Sequence, residues 1–326
     1  MSQPPYTESI SFRHPLTNAV LLQPLASSRT ALRGVRNLVL LIHGFNVDQD
    51  NAIKSYDGFY RWQRALNHRL ETEPIFNDRR VIEVYWPGDA AWKGVKCLFS
   101  PLFYPDAIGV ARETARQLVR TILRAAPAPY VVSIDIVGHS MGCRIAVEML
   151  HLLLDPEAAH IQIRRVVLMA AAVPTFLLMP GRSPRGVGVG FASKPVNGTY
   201  SLFSPSDDVL YMAFRVGQTL RFGEGEGFAP YALGSFYWAG HPFNCFQDEI
   251  RGAGHSDYWG GQGKNKNQER AANDRVGWFL GLADVRSLPS RAAPERALGD
   301  VRETVEARPA LHRRIGQWSR ELLFRI

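Results

Sequence analysis

The sequence predicts an α/β fold: a mostly parallel central sheet with helices on both faces and long Gly/aromatic loops above the carboxyl ends of the strands. Three observations carry that expectation. Short apolar runs alternate with helically spaced segments from about residue 37 to residue 282, the order that a parallel sheet with crossover helices requires. The run Tyr130–Val137 is apolar nearly throughout, as a strand covered on both faces must be. It stops at Gly138-His139-Ser140-Met141-Gly142, and a helical pattern begins at once.

In chain order, residues 1–36 hold short apolar pieces, Ala19–Leu25 among them, which read as leading edge strands of the same domain. Asn37–Ile42 is a buried strand ending in His43-Gly44-Phe45-Asn46, and a helical stretch follows around Tyr56–Leu70. Arg80–Trp86 is the next strand, ending in Pro87-Gly88-Asp89. An aromatic, proline-containing loop, Trp92–Tyr104, leads to a helix over about Ala107–Ala125, where Ala111, Ala115, Leu118 and Ile122 recur near helical spacing. After the Tyr130–Val137 strand, Ile145, Met149 and Leu152–Leu153 mark one face of the following helix. Ile163–Ala171 is the fifth strand. Gly181–Gly198 and Gly223–Asn244 read as long loops; between them lie a short strand, Tyr200–Phe203, and a helix, Val209–Leu220. Cys245–Ile250 is the last strand and Gln268–Leu282 the closing helix.

Residues 37–283 thus form the main domain, and 284–326, rich in Arg and Pro, a basic appendage. Within it Ile315, Trp318, Leu322 and Leu323 are helically spaced among Arg313, Arg314, Arg320 and Arg325. Such a basic amphipathic helix suits a membrane surface or a protein partner, with docking on its own domain as the first expectation.

The totals narrow the class. With 326 residues, 46% of them hydrophobic and 21% charged, the chain has an ordinary globular composition and room for a sizeable core. The net charge of +8 rests mainly on Arg. A basic balance suits nucleic acid or an anionic surface, but no nucleic-acid recognition motif accompanies it, so no nucleic-acid partner is expected. The three cysteines fit neither a zinc spacing nor a disulfide framework. The longest apolar stretch, Val166–Pro180, is interrupted by Pro174 and too short for a bilayer. The N-terminus lacks a basic leader followed by an apolar core. A soluble protein of the reducing cytoplasm is expected. No metal cluster with ligand spacing is present, and Gly263-Lys264 is followed by Asn265 where a phosphate loop needs Ser or Thr.

The chemistry centres on Ser140. Between a strand and a helix, G-x-S-x-G forces the serine into a strained turn and lifts its hydroxyl above the sheet edge. Gly138 and Gly142 let strand and helix pass closely. The Met141 amide lies at the helix N-terminus, where unpaired donors and the local field favour an anion. A serine hydroxyl needs a base within hydrogen-bond reach, and that base needs an orienting group. Chain order places the acid and then the histidine after the serine, at strand ends. Asp207 follows Tyr200–Phe203 on a Ser204-Pro205-Ser206 turn, and His255 follows the last strand beside Gly252 and Gly254. Asp208 is the alternative acid; Asp207 is preferred because Val209–Leu210 starts the next helix. The other reading of Asp207 is a helix N-cap. Of the other histidines, His139 is expected to pack beside the serine and His241 to line the pocket. The turn after Ile42 brings the Phe45 amide toward Ser140 as a second oxyanion donor.

HGFN at 43–46, YWPGD at 85–89, GHSMG at 138–142, SPSDDVL at 204–210 and GHSDYW at 254–259 together resemble the α/β-hydrolase superfamily, and within it the bacterial esterase/lipase-like branch of the DUF900 type. The motifs occur in order over residues 37–282. The resemblance implies Ser140 as nucleophile, Asp207 as acid, His255 as base, Phe45 and Met141 as oxyanion donors, with His43, Gly44, Gly138, His139 and Gly142 in support. It also implies a carboxylic ester as the bond cleaved, and no cofactor. The doubled acid at 207–208 departs from the pattern, where a single acid precedes a bulkier residue.

Specificity is expected from three long loops that carry Trp92, Phe99, Phe103, Tyr104, Phe228, Tyr231, Phe236, Tyr237, Trp238 and Phe243, a lining suited to an apolar acyl or aryl group. Arg182 and Arg185 read as solvated surface charge. A serine hydrolase of carboxylic esters, including acyl or lipid esters, is the leading reading. An acyltransferase with the same triad and a non-catalytic binding module on the same fold are the alternatives.

Overall fold

The six apolar runs of the main domain and one N-terminal segment pair side by side in a single sheet. A computed structural model describes residues 7–14, 21, 24, 32, 34–70, 79–88, 100–181, 186–219, 231–242, 244–261 and 263–281. The strands are β1 (Thr7–Ser11), β2 (Asn37–Ile42), β3 (Arg80–Tyr85), β4 (Val132–His139), β5 (Ile161–Met169), β6 (Thr199–Phe203) and β7 (Cys245–Glu249). They lie in the order β1-β3-β2-β4-β5-β6-β7, and every neighbouring pair is parallel. The chain divides into two units, Met1–Asp284 and Val285–Ile326, and all described residues belong to the first. The basic helix expected near 315–325 and most of Ala19–Leu25 lie outside the described residues.

The helices are α1 (Gln49–Leu70), α2 (Ser100–Ala125), α3 (Met141–Leu152), α4 (Val187–Ser193), α5 (Phe214–Thr219) and α6 (Lys266–Phe279). From β2 the chain crosses to β3 on one side, whereas from β4 it crosses to β5 on the other. Right-handed crossovers then put α1 and α3 on opposite faces. Accordingly α1 packs with α6, while α2, α3 and α4 pack together. The direction of winding reverses between β2 and β4. Such a switch point opens a crevice beyond the strand ends, and the turns after these two strands carry His43–Asn46 and Ser140.

Four segments differ from expectation. β4 begins at Val132, two residues late, because Tyr130 and Val131 are 61% and 48% exposed; it extends through Gly138 and His139, which pair with Leu168 and Met169. α2 begins at Ser100, so the end of the expected aromatic loop is helical and accommodates Pro105, with the loss of one intrahelical donor. The expected loop Gly181–Gly198 contains α4. Its glycines serve close packing: a Cβ on Gly188 or Gly190 would come within 2.6 Å of the backbone of Met179 or Leu150. Of the expected helix at 209–220, Val209–Ala213 is a π-helical turn that continues into α5. Among the described residues no helix is long and apolar enough to cross a membrane.

Candidate active site

Ser140 has φ 54° and ψ −120°, in a region that non-glycine residues rarely occupy. Backbone strain of this kind costs roughly 1–3 kcal/mol and persists only where surroundings over-determine it. Here they do. The Ser140 N–H donates to the Met169 carbonyl at 2.9 Å, and the Ser140 carbonyl accepts from Cys143 and Ala172, both at 3.1 Å. Asn46 and Ala170, at the ends of the flanking turns, also have positive φ.

The glycines are steric necessities. A Cβ on Gly142 would lie 2.3 Å from the Ile42 carbonyl oxygen and 2.5 Å from that of His43. A Cβ on Gly44 would lie 2.9 Å from the Ser140 Cβ, and one on Gly138 3.0 Å from the Cys143 nitrogen. The obstacles at Gly142 are backbone atoms, which no rotamer change relieves. Gly142→Ala is therefore expected to cost about 2–3 kcal/mol in chemical denaturation; an unchanged midpoint would contradict this packing.

Asp207 and His255 converge on the serine. The His255 Nε2 lies 2.9 Å from Ser140 Oγ, and its Nδ1 lies 2.8 Å from Asp207 Oδ2. The tautomer that satisfies both bonds carries the proton on Nδ1, so Nε2 accepts from the hydroxyl. Asp207 is fully buried and Ser140 is 5% exposed. The other oxygen of Asp207 accepts from the Leu210 N–H at 3.0 Å. The carboxylate thus caps the following turn through one oxygen and faces the imidazole with the other. Asp208 is exposed at the start of the π-helical turn and makes no capping bond.

Residues 26–175 match the family described as "Alpha/beta hydrolase of unknown function (DUF900)". The fold is that of the α/β hydrolases. The match includes His43–Asn46 and Ser140 and stops short of Asp207 and His255. No curated protein matches the chain. A predicted CIB-like hydrolase from Thermoplasma acidophilum is 14% identical over 74% of this chain and 87% of its own, with a TM-score of 0.39. An esterase from Pyrobaculum calidifontis is 12% identical over 76% of each chain at 0.38. Est1E from Butyrivibrio proteoclasticus is 12% identical over 76% of this chain and 89% of its own at 0.37. At these TM-scores the likenesses carry no weight.

The supporting residues hold the rim of the candidate site. The His43 carbonyl accepts from Trp86 Nε1 at 2.9 Å, and its ring Nδ1 lies 2.9 Å from the Gly44 oxygen. The Phe45 and Met141 amides have no backbone acceptor among the described residues. His139 packs beside the elbow, with its Nε2 2.8 Å from the His255 carbonyl oxygen. Burial and the neighbouring His255 depress its pKa to about 3, partly offset by that carbonyl. It is therefore neutral and donates from Nε2.

Two positions went unread in the sequence. The Tyr56 hydroxyl accepts from the His43 N–H at 3.0 Å and lies within 3.0 Å of the Leu41 and Val84 carbonyl oxygens, tying the diverging ends of β2 and β3. Nothing local signals this, because its partners are backbone groups of two other elements. Asp257 was visible inside GHSDYW. Its carboxylate accepts from the Gly254 N–H at 2.9 Å and the Asn265 N–H at 3.1 Å, closing the turn that carries His255. Asp257→Ala leaves two inward-facing donors unpaired, at about 1–3 kcal/mol of stability. An accompanying fall of roughly tenfold in ester turnover is expected if the turn shifts by a fraction of an ångström. Wild-type turnover in a folded variant would contradict it.

A cleft of about 290 Å³ opens at Ser140, with Phe45, Tyr104, Leu210, Ala213, Phe214 and Trp259 among its walls. Of the five expected loop aromatics whose side chains are described, four do not line it. Tyr104 does, but from α2; the other walls come mainly from the turn after β2, the segment 209–214 and the turn that carries His255, with Ser55 of α1 and Ala172 after β5. Tyr231, Phe236, Tyr237 and Trp238 are absent from its described lining; Tyr231 stacks edge-on with Phe236 and Trp238 is buried. His241 also stays out of it, with its ring Nδ1 3.0 Å from the Pro242 oxygen. Trp92, Phe99, Phe228, Phe243, Arg182 and Arg185 lie outside the described residues, as does the side chain of Phe103.

Proposed function

We propose that this α/β hydrolase cleaves carboxylic esters with an apolar acyl or aryl group, through a Ser140-His255-Asp207 triad and an acyl-enzyme. The observation that supports this reading most is the pair of bonds meeting on the His255 ring, 2.9 Å to Ser140 Oγ and 2.8 Å to Asp207 Oδ2. Ser140 Oγ attacks the ester carbonyl carbon as His255 Nε2 takes its proton. Asp207 holds the ring and stabilises the imidazolium. The carbonyl oxygen, now anionic, accepts from the Phe45 and Met141 amides. Collapse breaks the C–O bond; the leaving alkoxide takes the proton from Nε2. Water then gives a proton to Nε2 and attacks the acyl carbon, and a second collapse returns that proton to Ser140 as the acid departs. The small apolar cleft favours short acyl chains or a single aryl ring over long chains.

A fluorophosphonate probe and a series of p-nitrophenyl esters test the reading. Wild-type protein is expected to be labelled and to prefer short esters, with Ser140→Ala unlabelled and turnover at least ~10⁴-fold lower. Absence of labelling of the folded wild type, or equal labelling of Ser140→Ala, would overturn it. Product analysis with an added alcohol distinguishes hydrolysis from acyl transfer.

A further inference from the structure

The residue before the nucleophile touches the backbone of the residue that serves it as base. His139 and His255 stand 116 positions apart, yet the His139 Nε2 lies 2.8 Å from the His255 carbonyl oxygen. The two rings are 5.0 Å apart, centroid to centroid, and tilted by 46°. His139 is 7% exposed. The rest of its ring is enclosed: Tyr258 stands 5.9 Å away, Trp259 6.4 Å, and a Cβ on Gly44 would come 3.1 Å from its Nδ1. Its backbone is fixed as well, because His139 is the last residue of β4 and pairs with Met169.

A rigid donor therefore grips the loop at His255 itself, between flanks that are tied by Gln268 to the Arg251 carbonyl and by Asn273 to the Tyr258 carbonyl. His255 sits on an irregular turn after β7, beyond Gly252 with φ 73°. Asp257 closes that turn on its own side. The 255 carbonyl is held by His139, the last residue of the strand that leads into Ser140. A shift of the turn is thus resisted by an element that cannot move without moving the nucleophile too.

We infer that His139 is a positioning residue, whose ring N–H fixes the His255 backbone relative to Ser140 and so sets the distance between base and nucleophile. This rests on the triad proposed above. The inference does not need His139 to titrate, since burial keeps the ring neutral at working pH.

Two variants separate the hydrogen bond from the packing. His139→Phe keeps a ring but removes the donor; His139→Gln keeps an N–H that reaches the same carbonyl. With p-nitrophenyl esters, His139→Phe is expected to lose 10- to 100-fold in kcat, about what a misplacement near 1 Å costs, with KM within about twofold. His139→Gln is expected to stay within about fivefold of wild type. A reading without substrate accompanies these: the downfield proton resonance of the His255 Nδ1–H bonded to Asp207 should be sharp in wild type and His139→Gln, and exchange-broadened in His139→Phe. The inference is overturned if His139→Phe keeps kcat within threefold, if His139→Gln falls as far as His139→Phe, or if the resonance is unaltered in His139→Phe. Failure of the triad reading looks different, because the fluorophosphonate would then leave wild type unlabelled while the resonance still reports on the His139 contact.

Discussion

Asp207→Asn is expected to lower kcat by about 10⁴-fold, while Asp208→Asn leaves it within about threefold. The first figure follows from the tautomer. Asp207 uses both oxygens, one on the Leu210 N–H and one on His255 Nδ1. An asparagine keeps the Leu210 bond only by turning its carbonyl that way, which aims its NH₂ at Nδ1. Two donors cannot face each other, so the imidazole takes its proton to Nε2. There it presents an N–H to Ser140 and no longer accepts the hydroxyl proton. A loss near 10⁴ with the fold intact is what such a tautomer change has produced in a serine protease triad. Asp208 shares neither bond and faces solvent. Ester turnover and thermal midpoints of the two variants decide the matter: a larger loss at Asp208, or no loss at either, would move the acid elsewhere and remove the proposed triad.

Much of this arrangement was legible before any coordinates because its determinants are local. A G-x-S-x-G between an apolar strand and a helical pattern fixes its own conformation: Gly142 must clear two carbonyl oxygens 2.3 and 2.5 Å from where its Cβ would stand, and only a glycine does. The acid was harder. Adjacent aspartates look alike in sequence, and what separates them is which side of the turn faces the sheet, a tertiary fact. Glycine misled at 181–198. Its abundance there reads as loop, but at Gly188 and Gly190 it permits a short helix to lie against Met179 and Leu150. The cleft wall misled for the same reason, as aromatic residues in a long loop say nothing about where the loop points. Phe214 and Trp259 reach the cleft because the segments carrying them leave directly from Asp207 and His255. The partners of Tyr56 and His139 are backbone atoms on distant elements, and those have no signature in sequence.

His139 makes a second large prediction, on stability and pH. Folded, its pKa is pushed down to about 3, first by burial and then by His255 beside it. In the unfolded chain it returns to about 6.5. Between these values the unfolded state binds a proton that the folded state refuses. Stability from this group is therefore complete above about pH 6.5 and is lost as pH falls toward 3, at up to about 1.4 kcal/mol per pH unit. From pH 7 to pH 5 that amounts to about 2 kcal/mol. His139→Gln cannot take the proton and lacks this contribution. Urea denaturation of both proteins at pH 7, 6 and 5 isolates it, because other titrating groups cancel in the difference. The advantage of wild type over the glutamine variant should shrink by about 2 kcal/mol across that range. Parallel pH dependences would mean that the ring is as basic in the folded protein as outside it, and a protonated His139 could then not stand 5.0 Å from an imidazole that must itself gain a charge during turnover.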